Sequence, residues 1–288
     1  MIDKPLRDIV NLLIYGGFLI GLCAACVTAL TLEINGNADA HLRYVVWIGI
    51  ATAGLYCGHR VIGLEKVAHI KTSVRFNIIR KYRKHIWIYF FVWTLLTTAL
   101  FFSFGSLELL LWLVPGGSVA VGYILPFIPG GKRLRDLGWT KILMIGWSWG
   151  WLTAFIPTWL IAHEPLQMAI ILGLERMLFI ILITIPFEIR DMEVDRSVGL
   201  LTLPEKLGRK KTKRLVWMMG MGMVFLAMIP SFHYYNVAYF LTSVILFVLI
   251  LAVNAYSWDT QDDYFFGGLT DGIMVLAIWI YTGFQFLL

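Results

Sequence analysis

Residues 167–214 read QMAIILGLERMLFIILITIPFEIRDMEVDRSVGLLTLPEKLGRKKTKR. The stretch 167–187 is predominantly apolar, and its charged residues are Glu175 and Arg176. A helix of about 20 such residues crosses the hydrocarbon core of a bilayer. The stretch that follows, 188–214, carries eight Lys or Arg. An apolar run that gives way to a basic connection is how a membrane span meets the cytoplasm.

Outward from this junction the pattern repeats. Of the 288 residues, 59% are hydrophobic and 15% charged, well below the quarter of charged residues usual in soluble domains. Nine apolar runs are expected as spans, near 9–31, 44–63, 86–105, 108–128, 142–161, 167–187, 215–232, 237–257 and 268–288. They are continuous and lack the alternation of a membrane barrel. Backbone groups have no water partners in lipid, so the spans are helices. The fold class expected is an all-α membrane bundle of about nine transmembrane helices, a single embedded domain over 1–288.

Of the 24 Lys and Arg, 22 fall on alternate connections: before the first span, in 59–85, in 129–141 and in 188–214. The positive-inside rule makes these sides cytoplasmic, the N-terminus included. A multi-pass protein of the inner (plasma) membrane is expected. The net charge of +6 then reflects topology and headgroup contact rather than nucleic acid, which is not expected as a partner. The two long cytoplasmic connections, 59–85 and 188–214, recur at an offset of about 129 residues and hint at related halves.

Cys23 and Cys26 form a C-x-x-C inside an apolar run, with no second pair; with Cys57 they read as small packing residues. Glu175 and Arg176 are intramembrane charges, which usually face the bundle interior. Asp271 or Asn254 is the expected partner of one of them, with a structural role or a place in an acceptor pocket both open. Asp259, Asp262 and Asp263 either offset the basic loops or add metal ligands. Arg75 and Asn77 are placed to line a cytoplasmic mouth.

The chemistry concentrates after the sixth span. Asp191 and Asp195 are spaced i, i+4 on an expected helix over 188–199, with Glu188 one turn earlier. Carboxylates so placed repel unless a cation lies among them. Mg²⁺ takes hard oxygen ligands and is often shared with substrate phosphates. The alternative is a solvated helix end with local pairs such as Glu188–Arg190. Gly199 extends the stripe and lets a ligand approach the backbone.

The ordered stretch from Asp191 to Arg209, D-x-x-x-D-x-x-x-G followed by T-L-P and L-G-R, resembles the second aspartate-rich motif of the UbiA superfamily of intramembrane prenyltransferases. Tyr123 to Arg133, leading to Lys132-Arg133 before the fifth span, is a further likeness. The resemblance implies nine spans, a cytoplasmic active-site mouth and a Mg²⁺-assisted enzyme. Such an enzyme ionises a prenyl diphosphate and transfers the prenyl group to an aromatic or other hydrophobic (lipid) acceptor. It places Asp191 and Asp195 at metal, with Glu188 joining them by its spacing, and Lys132 and Arg133, with Lys141 beside them, at diphosphate; His59 and Arg60 are diphosphate candidates by their own chemistry, not by the resemblance. Asp191, Asp195 and Arg60 would be catalytic. The aromatic residues, among them Trp147, Trp149, Trp151, Phe155 and Tyr264 to Phe266, can face a carbocation.

One motif departs from the family. Where the first aspartate-rich motif belongs, the chain reads Tyr56-Cys-Gly-His59-Arg60-Val-Ile-Gly63-Leu-Glu65-Lys66, with Glu65 the one acid. His59 and Arg60 either do the work of the missing metal, mark a lost site, or snorkel to the headgroups. Terpene cyclisation, prenyl-lipid binding without turnover and, less favoured, transport remain as alternatives to transfer.

Overall fold

The computed structural model describes residues 4–36, 41–64, 74–129, 131, 133–197 and 199–288. Glu65 and Lys132 lie outside the described residues. The chain is all-helical: α1 Lys4–Tyr15, α2 Phe18–Ile34, α3 Leu42–Gly63, α4 Val74–Lys81, α5 Arg83–Phe104 and α6 Leu107–Ile124 form the first half. α7 Lys141–Gly150, α8 Leu166–Arg190, α9 Met192–Ser197, α10 Leu203–His233, α11 Val237–Tyr256 and α12 Asp271–Leu287 follow.

Among the described residues, seven helices are long and apolar enough to cross a membrane, and a bent pair makes an eighth. That pair is the first expected span, which is not one straight rod. Gly17 adopts φ 83° between α1 and α2, and the two axes diverge by 53°. A left-handed residue costs little only as glycine, and a Cβ here would lie 2.6 Å from Ala53 O of α3. The fifth expected span starts as α7 and then widens into π-helical turns over Trp151–Phe155 and Pro157–Ile161. Expanded turns of this kind favour functional sites. Another, Phe265–Thr270, leads directly into α12.

Helix ends follow local chemistry. Ser106 accepts from Leu109 N at the start of α6. Asn236 does so from Tyr239 N for α11. Thr202 accepts from Glu205 N for α10, whose Pro204 sits where no N–H is needed. The helix expected over 188–199 is broken at Asp191, which caps α8 with φ −87° and ψ 0°. The separate basic helix expected over 205–214 is instead the beginning of α10, marked by a kink at Gly208.

The helices form a ring. α2 packs on α3 and α12, α12 on α11, α11 on α10, α10 on α8, α8 on α7, α7 on α6 and α6 on α3, with α5 outside against α3. Leu30, Ile181, Leu182, Met223 and Ala277 meet in its main apolar core. The intramembrane charges hold this ring rather than reach Asp271 or Asn254. Arg176 donates to Val27 O at 2.6 Å and Thr31 Oγ1 at 3.3 Å, both in α2. Arg176 Nε also comes within 4.0 Å of its neighbour Glu175. Asn254 donates to Leu182 O and Ile250 O. The three cysteines are free; Cys23 and Cys57 donate to Asp271 O and Gly16 O.

Candidate active site

A cavity of about 690 Å³ opens inside the ring. Its charged lining comes from the last turns of α3 and α8, the first residue of α7, Arg75 of α4, the 133–136 segment, Asp191, Asp195 of α9, Asp263 and Asp271. Its apolar lining comes from helix interiors, including Ile48, Leu55, Val119, Leu152, Ile180 and Met274. Charge at one end and hydrocarbon beyond it match an amphiphile with an anionic head.

The carboxylates expected at a metal do not converge. Lys141 lies between two of them, with Nζ 2.8 Å from Glu188 Oε1 and bonded to Asp195 Oδ2. All three side chains are buried. Asp191, turned aside by the break between α8 and α9, receives Arg190 Nε at 2.8 Å and Arg75 Nη1 at 3.1 Å. Burial opposes its charged form, but Arg190 and Arg75 outweigh burial and hold its pKa well below the usual carboxylate range. Asp263 joins them, 3.7 Å from Arg190 Nη1 and accepting from Arg75 N. The acidic cluster thus splits: Asp263 enters the site, while Asp259 pairs with Arg209 outside.

Among the described residues no three His, Cys, Asp or Glu side chains form a metal-binding group. Guanidinium groups already occupy both oxygens of Asp191, and an ammonium separates Glu188 from Asp195. The donor set in this arrangement does not fit a Mg²⁺ cluster.

The positive groups divide into those paired with a carboxylate and those that are not. Arg133 is held by Asp136, to which its N, Nε and Nη2 all donate. Arg60 and Arg135 have no carboxylate at ion-pair distance among the described residues. Arg60 Nη1 is buried without a hydrogen-bond partner, and its guanidinium lies 5.6 Å from the Tyr15 ring centre. Arg135 contacts His59 Nε2 and lies 5.8 Å from the Tyr123 ring centre. Burial works against the charge of Arg135, but Tyr123, Asp195 and Asp191 outweigh it and raise its pKa above the ordinary value. His59 and Tyr123 bring their rings to 5.6 Å. Arg135 was not singled out by the sequence, since it looks like one more basic loop residue. Its neighbours Lys132 and Arg133 matched the family pattern better.

Gly199, at φ 74° with no atom near a virtual Cβ, owes its identity to the turn that ends α9. It lines the cavity as well.

A family model for the UbiA prenyltransferase family matches residues 79–264. The chain belongs to this family. It is similar to the apo structure of a UbiA homolog from Aeropyrum pernix K1, with 16% identity, TM-score 0.65, and 93% of this chain and 97% of that one covered. A UbiA homolog from Archaeoglobus fulgidus bound to GPP and Mg²⁺ is 13% identical, with TM-score 0.60 and coverage of 95% and 98%. A structure of digeranylgeranylglyceryl phosphate synthase is 16% identical, with TM-score 0.55 and coverage of 99% and 100%. No curated protein matches by sequence. At these identities the likeness establishes the fold of this UbiA member: a multi-pass helical membrane protein.

Proposed function

We propose that this UbiA-family protein is an intramembrane prenyltransferase that holds an allylic prenyl diphosphate with its own cations and passes the prenyl group to a hydrophobic acceptor. The observation that carries the reading is the pair of guanidinium groups, Arg60 and Arg135, with no carboxylate at ion-pair distance among the described residues, at the charged end of an otherwise apolar cavity. Guanidinium matches phosphate oxygens with a rigid fork of donors. Donors fixed where negative charge develops stabilise the leaving diphosphate as the C1–O bond breaks. His59, beside Arg135, adds a polar contact. The prenyl chain lies along Leu55, Val119 and Ile180, where water cannot quench the cation. Tyr123 and Trp149 supply aromatic faces. The mouth faces the cytoplasm of an inner or plasma membrane, following the basic loops.

A second reading is favoured by the convergence of Glu188 and Asp195 on one point and by the buried, unpartnered Glu188 Oε2. In it Lys141 leaves the carboxylates and Mg²⁺ takes its place. The experiment is diphosphate release by the purified protein in nanodiscs with geranyl diphosphate and a hydrophobic acceptor, with and without Mg²⁺. Release that persists under chelation supports the cation reading, and strict Mg²⁺ dependence the second. A terpene as sole product would replace transfer by cyclisation. Binding without release under both conditions would overturn catalysis.

A further inference from the structure

Six carboxylates line the described cavity: Asp136, Glu188, Asp191, Asp195, Asp263 and Asp271. Five are in ion pairs, with Arg133, Lys141, Arg190 and Arg75 as partners. Asp271 is different. Among the described residues its carboxylate has neither an ion pair nor a hydrogen bond. It lies six residues into the Phe265–Leu287 span, immediately after the π-helical turns. Its backbone carbonyl is pinned by Cys23 Sγ at 3.2 Å, which fixes the start of α12 against α2. The charges whose fields reach it are Arg60 first and Arg190 second. Tyr56 and Cys23 are its other titratable neighbours.

An unpaired carboxylate and an unmet guanidinium, Arg60, thus border the same space without touching. A structural ion pair would close that gap. Leaving it open suits a guest that offers negative charge to Arg60 and a proton to Asp271. We propose that Asp271 is the general base of the transfer, taking the proton from the acceptor atom that attacks C1 of the prenyl group. This inference rests on the transferase reading above and adds the acceptor side to it.

The step balances without a further reactant. The C1–O bond breaks with its electron pair on the diphosphate, beside Arg60. The acceptor's nucleophilic atom forms the new bond to C1. The proton that atom carried passes to a carboxylate oxygen of Asp271 and later to water. A positioned base contributes about 10²–10⁴-fold to such a step.

The test compares wild type, Asp271→Asn and Asp271→Glu in nanodiscs. Geranyl diphosphate is the donor, with a ring-deuterated hydroquinone, a hydroxybenzoate and a glycerol lipid bearing one free hydroxyl as acceptors. Geranyl thiolodiphosphate binding reports on folding and on the diphosphate site. The expected result for Asp271→Asn is unchanged analogue binding and loss of transfer by about 100-fold or more. With the deuterated acceptor, an isotope effect absent from wild type should appear, because proton removal becomes limiting. Asp271→Glu should restore part of the rate. Transfer by Asp271→Asn within threefold of wild type, with no isotope effect, would overturn the role of Asp271 and leave the transferase reading standing. A wild type that transfers to none of the three acceptors would overturn the transferase reading and this role with it.

Discussion

Lys141 Nζ lies 2.8 Å from Glu188 Oε1, joining the first residue of α7 to the last turn of α8 in the buried wall of the cavity. The same ammonium holds Asp195, so one cation ties together α7, α8 and α9. Removing it leaves two buried carboxylates without a partner. Breaking a buried pair in this way costs about 3–5 kcal/mol. Lys141→Met is expected to lower the thermal midpoint in detergent by several degrees, and the triple change Lys141→Met, Glu188→Gln, Asp195→Asn to recover part of it. An unaltered midpoint in the single variant would show that the bridge does not form.

Arg135 touches His59 but no carboxylate at ion-pair distance among the described residues, whereas Arg133 is bound to Asp136. A hydrogen bond to a charged group contributes about 1.5–3 kcal/mol. Arg135→Ala should therefore weaken geranyl thiolodiphosphate binding by about 10- to 100-fold, measured by calorimetry in nanodiscs. Arg133→Ala should mainly reduce stability through the lost ion pair with Asp136. The reverse ranking in affinity would remove Arg135 from the diphosphate site.

Asp191 titrates below the ordinary carboxylate range because Arg190 and Arg75 outweigh the penalty of its burial. A depressed pKa contributes stability that is full above the unfolded value of about 3.9 and is lost as pH falls through the folded one. Between pH 5 and pH 8 its contribution is constant. The difference in thermal midpoint between wild type and Asp191→Asn should therefore be the same at both pH values. A difference that shrinks from pH 8 to pH 5 would mean the carboxyl is protonating in that window and the two guanidinium groups do not hold it.

Arg176 donates to Val27 O and Thr31 Oγ1, away from the charged end of the cavity. Arg176→Met should lower the thermal midpoint while leaving prenyl diphosphate affinity within about twofold. The order-of-magnitude cost is that of a lost buried hydrogen bond from a charged group, about 1.5–3 kcal/mol, since Thr31 Oγ1 still donates to Val27 O. A selective loss of affinity at full stability would instead make it part of the binding site.

Gly199 at φ 74° ends α9. An alanine there pays about 1–2 kcal/mol for the left-handed backbone. Gly199→Ala should lower the thermal midpoint by a few degrees even though space for the methyl is open, and Gly222→Ala, in an ordinary helical position, should not.

The spans, their number to within one or two, and the side on which charge collects were all legible in the chain. Lipid demands long apolar helices, and topology follows loop charge. The ordered motif from Asp191 to Arg209 likewise located the family and the acidic side of the site. Spacing could not say that the helix breaks at Asp191, sending that aspartate to Arg190 and Arg75 while Asp195 turns to Lys141. Nor could it set Arg135 apart from other loop cations, or Asp271 from a buried structural acid. Apolar length and loop charge are local properties, and one strand of sequence contains them. Which cation reaches which carboxylate, and which two are left facing one cavity without partners, depends on how helices distant in the chain close into a ring, because ion pairing is decided by distances of a few ångströms across it.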